Sequence, residues 1–350
     1  MGRPQIESRV ETLPYSWCAD PAVAGAEREE IFRRSWQYVG HLGELDGPGS
    51  MFPTQVGGLP LIVVLDRDRE LRAFLNVCRH RGTVLVNEPQ RRGTIQCPYH
   101  AWTYALDGRL RGAPRSKDEP GFDMDCLGLV SAQVGTWGPF VFANPDLEAP
   151  RLDMALGDLP DVVAENGLDV DSLRFHDRRA YEINANWKIA IENYLECYHC
   201  QLNHPTLVNV IDDRRLTMET RGLRASQFNL AHPDFDVAGG VAQAQFHLLF
   251  PSLKVNVEPG PANLSIGPIW PVAPDRCRGY LDYYFGTGVA ADWIADFMDY
   301  QDEVGAEDTA LVEGAQAGTG SGLIRSGRLL AHDEQLIAHF QAYVREMLED

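Results

Sequence analysis

Cys78-Arg79-His80 and Cys97-Pro98-Tyr99-His100 decide how this chain of 350 residues is read. Each segment offers one thiolate and one imidazole, and the full pattern is C-x-H-x16-C-x-x-H. A [2Fe–2S] cluster held by two cysteines on one iron and two histidines on the other requires this donor set. Structural zinc also uses two cysteines and two histidines, but it usually pairs cysteine with cysteine and histidine with histidine at wider spacings. The mixed pairs predict the cluster, with Cys78, His80, Cys97 and His100 as its ligands.

Around these segments, from Gly40 to about Pro145, the chain runs in short β-rich stretches such as Leu61-Ile62-Val63-Val64-Leu65. Gly, Pro and Asp-Gly turns break them, and Asp107-Gly108 is the clearest hairpin signal. A small antiparallel β domain carrying the cluster on two loops is expected. Residues 20–37 read as a helix with Ile31, Phe32 and Trp36 near one face. Residues 144–160, rich in Pro and Asp, read as a linker. Beyond it we expect a strand near Arg178, a helix from about Trp187, and β stretches at 245–257, 263–271 and 278–286. Helices over roughly 290–316 and 333–349 close the chain. The fold class is therefore α+β.

Hydrophobic content of 44% allows well-filled cores, and no apolar run approaches the length of a membrane span. Met1-Gly2-Arg3-Pro4 lacks a secretory apolar region, and Ile6 stands where a myristoylation signal wants Ser or Thr. A soluble cytoplasmic protein is expected. Cys18, Cys126, Cys197, Cys200 and Cys277 are expected as buried free thiols. The net charge of −19 argues against nucleic-acid binding. That acidity is uneven. From Arg79 to Lys117 eight basic residues face two acidic ones, so this segment is +6 while the rest is −25. Such a face would suit docking of an acidic electron donor.

A second group of donors lies in Glu192-Asn193-Tyr194-Leu195-Glu196-Cys197-Tyr198-His199-Cys200-Gln201-Leu202-Asn203-His204-Pro205. Glu196 and His199 are read as sharing a helix face. His204, preceding a proline, is pushed out of the α region and expected to turn back toward His199. Two imidazoles and a distant carboxylate would form a facial triad for non-haem Fe(II). A zinc site using Cys197 or Cys200 is the alternative, and Cys197-x-x-Cys200 by itself reads as packing.

The chain resembles the alpha subunits of Rieske non-haem iron oxygenases, the ring-hydroxylating oxygenase superfamily, over nearly its whole length. The likeness rests on Asn76-Val77-Cys78-Arg79-His80-Arg81-Gly82, on Cys97 to Tyr104, on Asn186-Trp187-Lys188, and on Glu196-x-x-His199-x4-His204. Glu307-Asp308, Gln316, Gly318, Ser321 and Gly327-Arg328-Leu329 resemble the family's C-terminal helix and the stretch after it. The resemblance implies a Rieske domain at 40–150 and a helix-grip-like catalytic domain at 151–350, an antiparallel sheet packed by helices. Residues 1–39 would be a helical segment packing on the latter. It implies His199, His204 and Asp308 as ligands of a mononuclear Fe(II), with Glu303 and Glu307 as rivals for the carboxylate. It also implies Glu196 as the bridge that passes electrons between protomers.

Glu rather than Asp at position 196, and the wording Glu-Asn-Tyr-x-Glu-Cys-Tyr-His-Cys, resemble the branch acting on carnitine, choline, glycine betaine and stachydrine. The implied activity is O₂-dependent hydroxylation of an N-methylated quaternary ammonium compound. Tyr194, Tyr198, Phe246, Trp270, Tyr283 and Phe285 are the aromatic candidates for holding such a cation. Two other readings stand beside it: a dioxygenase acting on an aromatic acid or hydrocarbon, and a Rieske electron-transfer protein. The family implies a homotrimer, with or without small beta subunits. With no flavin- or NAD-binding motif in the chain, electrons from NAD(P)H would come through a separate reductase or ferredoxin.

Overall fold

The structure, a computed structural model, describes residues 11–237 and 239–349. The readings of Met1 to Ile6, and the first ten residues of the N-terminal segment, lie outside the described residues. The chain forms two compact units: Phe32–Leu152, and a second built from the residues up to Ile31 together with Asp153–Asp350.

The unit Phe32–Leu152 holds strands β1 (Gln37–His41), β2 (Ser50–Val56), β3 (Leu59–Leu65), β4 (Leu71–Leu75), β5 (Gln90–Arg91), β6 (Ile95–Gln96), β7 (Thr103–Tyr104), β8 (Leu110–Gly112), β9 (Ser131–Trp137) and β10 (Phe140–Asn144). Seven of them make an antiparallel sheet in the order β1-β10-β9-β4-β3-β2-β5, and β6-β7-β8 form a small second sheet. The apolar run in β3 is continuous because both faces are covered. Leu61 and Val63 enter one core, while Ile62 and Val64 enter another that also holds Cys78 and Cys97. Asp107-Gly108 turns the chain between β7 and β8. Gly108 has φ +86°, and a Cβ there would lie 2.5 Å from the Phe74 ring, so both backbone and space demand glycine.

In the second unit, α1 (Pro21–Ala26) is capped by Asp20, whose Oδ1 accepts the Ala22 N–H at 2.8 Å. A wider turn, Glu27–Phe32, comes next, and Gln37 already begins β1. The helix expected over 20–37 is thus shorter, since the chain must leave it to enter the sheet. The stretch read as a linker is partly helical, with α2 (Leu152–Leu156) and α3 (Leu159–Glu165) burying Leu152, Leu156, Leu159 and Val163.

The larger sheet comprises β11 (Leu173–Ile183), β12 (Thr217–Arg221), β13 (Arg224–Leu230), β14 (Gln243–Leu249), β15 (Leu253–Val257), β16 (Asn263–Ala273) and β17 (Arg276–Gly286). Its order is β11-β17-β16-β15-β14-β13-β12, antiparallel throughout. The run 245–257 is two strands, broken at Pro251, which cannot donate to a ladder. The hairpin β12–β13 was not anticipated. Its first strand is polar and mostly exposed, so it carries little apolar alternation. Helices α4 (Trp187–Tyr194), α5 (Cys200–Asn203), α6 (Ala291–Thr319) and α7 (Gln335–Glu349) complete the unit. Among the described residues no helix is long and apolar enough to cross a membrane.

The start of α4 is fixed by buried charge. Lys188 and Glu27 are both fully buried and form an ion pair. Lys188 Nζ also donates to the Trp17 carbonyl at 3.1 Å, and Trp187 Nε1 donates to Glu27 Oε2 at 2.8 Å. Lys188→Met strands the Glu27 carboxylate in this apolar setting and is expected to cost about 3–5 kcal/mol in urea unfolding. Adding Glu27→Gln should recover most of that loss, and a double variant no more stable than Lys188→Met would contradict the pairing.

Candidate metal centres

In the smaller unit, Cys78-Arg79-His80 lies on the loop after β4, and Cys97 to His100 on the loop between β6 and β7. The two loops fold alike. The Cys78 carbonyl accepts the Gly82 N–H at 3.0 Å, and the Cys97 carbonyl accepts the Ala101 N–H at 3.1 Å. Gly82 and Ala101 both take positive φ, 72° and 59°. Asn76 pins the base of the first loop, its Oδ1 accepting from the Leu85 and Val86 amides at 3.1 and 2.9 Å.

This arrangement brings the two predicted cysteines into one core cluster and the two predicted histidines into ring contact. Cys78 and Cys97 are free and buried in one core cluster. The His80 and His100 rings meet edge to face at 4.8 Å, and His80 stacks on Trp102 at 4.9 Å. The His100 Nδ1 atom is buried without a hydrogen bond, a donor atom held for a ligand the polypeptide does not supply. Two thiols and two imidazoles so placed fit a [2Fe–2S] cluster. The Tyr104 hydroxyl stands 3.3 Å from Cys78 Sγ and accepts the Arg79 N–H at 3.0 Å. The Arg79 guanidinium turns away to the Gly128 carbonyl, whereas Arg81 reaches His100 Nε2 at 2.8 Å.

In the larger unit, α4 ends at Tyr194 with Leu195 as its cap, and Glu196 sits in the turn beyond it. Glu196 and His199 therefore do not share a continuous helix, as the sequence spacing suggested. Glu196 closes the turn itself, Oε2 accepting the Tyr198 and His199 amides at 2.5 and 3.2 Å while Oε1 meets His199 Nδ1 at 2.5 Å. His199 and His204 bracket α5, and His204, held before Pro205 at φ −122° and ψ 71°, turns back as expected.

His199 Nε2 and His204 Nε2 are 3.0 Å apart, and Asp308 Oδ1 lies 3.4 and 3.0 Å from them. Asn193 on α4 donates to the same Asp308 oxygen at 2.7 Å, which joins α4 to α6. Glu307 is on the far side of His204, accepting from Nδ1 at 2.7 Å, and Glu303 accepts from Thr206 Oγ1 at 3.0 Å. Neither rival carboxylate joins the three converging atoms. Burial would lower the His199 pKa, but bonds to Asp308 and Glu196 outweigh it and bring it up to about 9. Burial would raise that of Asp308, yet bonds from His199, His204 and Asn193 hold it well below the usual carboxylate range. The site thus favours positive charge at its centre. Two imidazoles, each with its outer nitrogen on a carboxylate, plus one carboxylate oxygen suit Fe(II).

Two cysteine expectations need correction. Cys197 and Cys200 form a disulfide, because one turn at the start of α5 brings their side chains together. As a disulfide they offer no thiolate to zinc. Cys126 is exposed rather than buried, its thiol donating to Asp123 Oδ2 at 3.1 Å.

A cavity of about 420 Å³ opens beside His199, His204 and Asp308. Of the six aromatic candidates, Tyr194, Phe246 and Tyr283 line it. Tyr198 is exposed, Trp270 packs on Tyr280, and Phe285 packs on Trp293 and Phe297. Tyr181, Lys254, Glu258 and Tyr300 also line the cavity and were missed. The signal for two of them was Leu253-Lys254-Val255-Asn256-Val257-Glu258, an alternation that sends every polar member to one side.

Comparison with known proteins identifies both units of the chain. Residues 35–129 match the Rieske [2Fe-2S] domain, and residues 170–241 and 232–350 match the ring hydroxylating alpha subunit catalytic domain. The carnitine monooxygenase oxygenase subunit of Escherichia coli (strain K12) is 32% identical, covering 97% of this chain and 94% of its own length. The chloroplastic choline monooxygenase of Spinacia oleracea is 31% identical, covering 99% and 80%. The solved structure of a quaternary ammonium Rieske monooxygenase, described for carnitine oxidation and inter-subunit electron transfer, superposes with a TM-score of 0.88. It is 28% identical and covers 99% of this chain and 98% of that one. With both domains matched and relatives aligned over 97–99% of it, this chain belongs to the Rieske ring-hydroxylating oxygenase family, as an alpha subunit carrying both the cluster domain and the catalytic domain.

Proposed function

We propose that the chain is the terminal oxygenase of an electron-transfer system and hydroxylates a small N-methylated quaternary ammonium compound. The observation that carries this reading is the convergence of His199, His204 and Asp308 on one side of a tyrosine-rich cavity. The names of the relatives, matched over nearly all of this chain, support the substrate class.

In this reading Cys78, His80, Cys97 and His100 hold the [2Fe–2S] cluster, and His199, His204 and Asp308 hold the mononuclear iron. When bound, the cluster stores one electron at a time and the iron activates O₂. The side chains set the conditions. Glu196 and Glu307 keep the Nδ1 protons of His199 and His204, so both Nε2 lone pairs face inward. Asn193 holds Asp308 in orientation. The aromatic walls exclude water and present ring faces to a cationic substrate. Glu196, already on His199, is the residue we assign to carry electrons in from a neighbouring protomer's cluster. That assignment asks for an oligomer, and we take it to be a homotrimer, supplied by a separate reductase or ferredoxin. Arg91 and Arg92, exposed at β5, belong to the basic face we assign to that donor. We place the chain in the cytoplasm, where Cys78 and Cys97 would stay reduced for ligation and the Cys197–Cys200 pair would be open to reduction.

Hydroxylation of a C–H next to a quaternary nitrogen gives a carbinolamine, which collapses to a tertiary amine, a proton and an aldehyde. The test is O₂ uptake by the reconstituted protein with quaternary ammonium compounds and aromatic acids. The expected result is uptake dependent on the cation, with one equivalent of amine and aldehyde formed. A cis-diol or phenol from an aromatic substrate would replace this reading.

A further inference from the structure

Strand β15 and the residue after it put two opposite charges on one face. Leu253, Val255 and Val257 are buried on one side, and Lys254, Asn256 and Glu258 line the cavity on the other. Neither charge has a counterion among the described residues. The Lys254 ammonium meets no carboxylate within ion-pair distance among the described residues; it lies over the rings of Tyr181 and Tyr194, at 5.0 and 5.5 Å. Glu258 is 3% exposed. Its Oε1 accepts from Gln301 Nε2 at 2.5 Å, while Oε2 makes no hydrogen bond of good geometry. Asn256, between them, is already engaged by the Tyr194 hydroxyl at 2.5 Å and by Ser265 at 2.9 Å.

Leaving a buried charge unpaired costs several kcal/mol, and two of opposite sign in one cavity would ordinarily find each other. About 13 Å of strand separates their backbones, four residues at the usual rise, so a bridging molecule can occupy the space between them. Burial brings the Lys254 pKa down to about 8, with Asp308 opposing, and the Glu258 pKa up to about 7. Near neutral pH Lys254 thus stays mainly charged and Glu258 is about half ionised, so an opposite charge placed beside either one would be held. The Tyr300 hydroxyl, like Gln301, favours the Glu258 carboxylate against its burial, and with Tyr283 it completes an aromatic wall at that end.

We propose that the cavity is built for a zwitterion, a quaternary ammonium compound that also carries a carboxylate, with Lys254 meeting the carboxylate and Glu258 the cationic nitrogen. The proposal rests on the oxygenase reading above and narrows its substrate class. A trimethylammonium alcohol satisfies only Glu258 and leaves the Lys254 charge buried beside its neutral end.

Isothermal titration calorimetry on the reconstituted protein tests recognition without relying on turnover. The probes are N,N,N-trimethylglycine, 4-trimethylammoniobutanoate and choline. At least one of the two carboxylates should bind about 10- to 100-fold more tightly than choline, the range expected for a hydrogen-bonded charge. Lys254→Met should remove that preference by weakening the carboxylates without weakening choline, Lys254→Arg should restore it, and Glu258→Gln should weaken all three probes alike. Choline binding as tightly as both carboxylates, or Lys254→Met weakening every probe equally, would overturn the proposal while the oxygenase reading stood. O₂ uptake driven only by aromatic acids would instead sink the oxygenase reading, and this inference with it.

Discussion

Asp308→Ala is expected to remove the mononuclear iron, leave the [2Fe–2S] spectrum intact, and lower substrate-dependent O₂ uptake at least about a thousandfold. The carboxylate is the one donor of its set that comes from α6, and its Oδ1 is shared among His199, His204 and Asn193. Taking it away leaves two imidazoles whose Nε2 atoms lie 3.0 Å apart with no anion between them, which favours repulsion over metal binding. The side chain is about one-third exposed toward the cavity, so the loss should not unfold the unit. Iron analysis and the thermal melt separate the two effects. Glu307→Gln is the companion variant. It keeps an acceptor for His204 Nδ1 but loses the charge, and should weaken iron binding about 10- to 100-fold without abolishing it. If Asp308→Ala kept its mononuclear iron while Glu307→Gln lost it, the ligand assignment would have to be exchanged.

Glu196→Ala is expected to do something different: iron content is retained, yet turnover falls by at least about a hundredfold, the upper range for an outer partner of a metal ligand. A cluster reduced before mixing should then stay reduced when substrate and O₂ are added, and its EPR signal would report this directly. The side chain makes three contacts within its own turn, to the Tyr198 amide, the His199 amide and the His199 ring. A purely structural role would therefore lower iron affinity in proportion to activity. Retained iron with a stranded electron marks a bridge. Full turnover by Glu196→Ala would end that assignment.

The parts legible in the sequence were those where chemistry forces residue type. Cys78, His80, Cys97 and His100 stood out because few ligand sets mix thiolate and imidazole at that spacing. His204 could be read because Pro205 dictates its backbone. Asp308 needed the family likeness, since Glu303, Glu307 and Asp308 differ only in which face of α6 they occupy. Other features depended on tertiary context. The break after Leu195 places Glu196 outside the helix, and nothing in Tyr194-Leu195-Glu196-Cys197 forbids another turn. The pairing of Cys197 with Cys200 depends on how that broken segment is folded. Lys254 and Glu258 look like the solvent side of an ordinary strand, because alternation reveals that a face is polar without revealing that it borders a cavity.

The Lys188–Glu27 pair has a bearing on how the polypeptide matures. Glu27 belongs to the beginning of the chain and Lys188 lies 161 positions later, with the entire cluster-bearing unit synthesised between them. Glu27 must therefore wait in water while more than a hundred residues emerge from the ribosome, and only then surrender its hydration to the lysine at the head of α4. The same delay applies to Glu11 and Thr12, which meet Arg328 and Gly327. Closure of the larger unit thus depends on contacts of high sequence separation, which is expected to make it slow beside local folding.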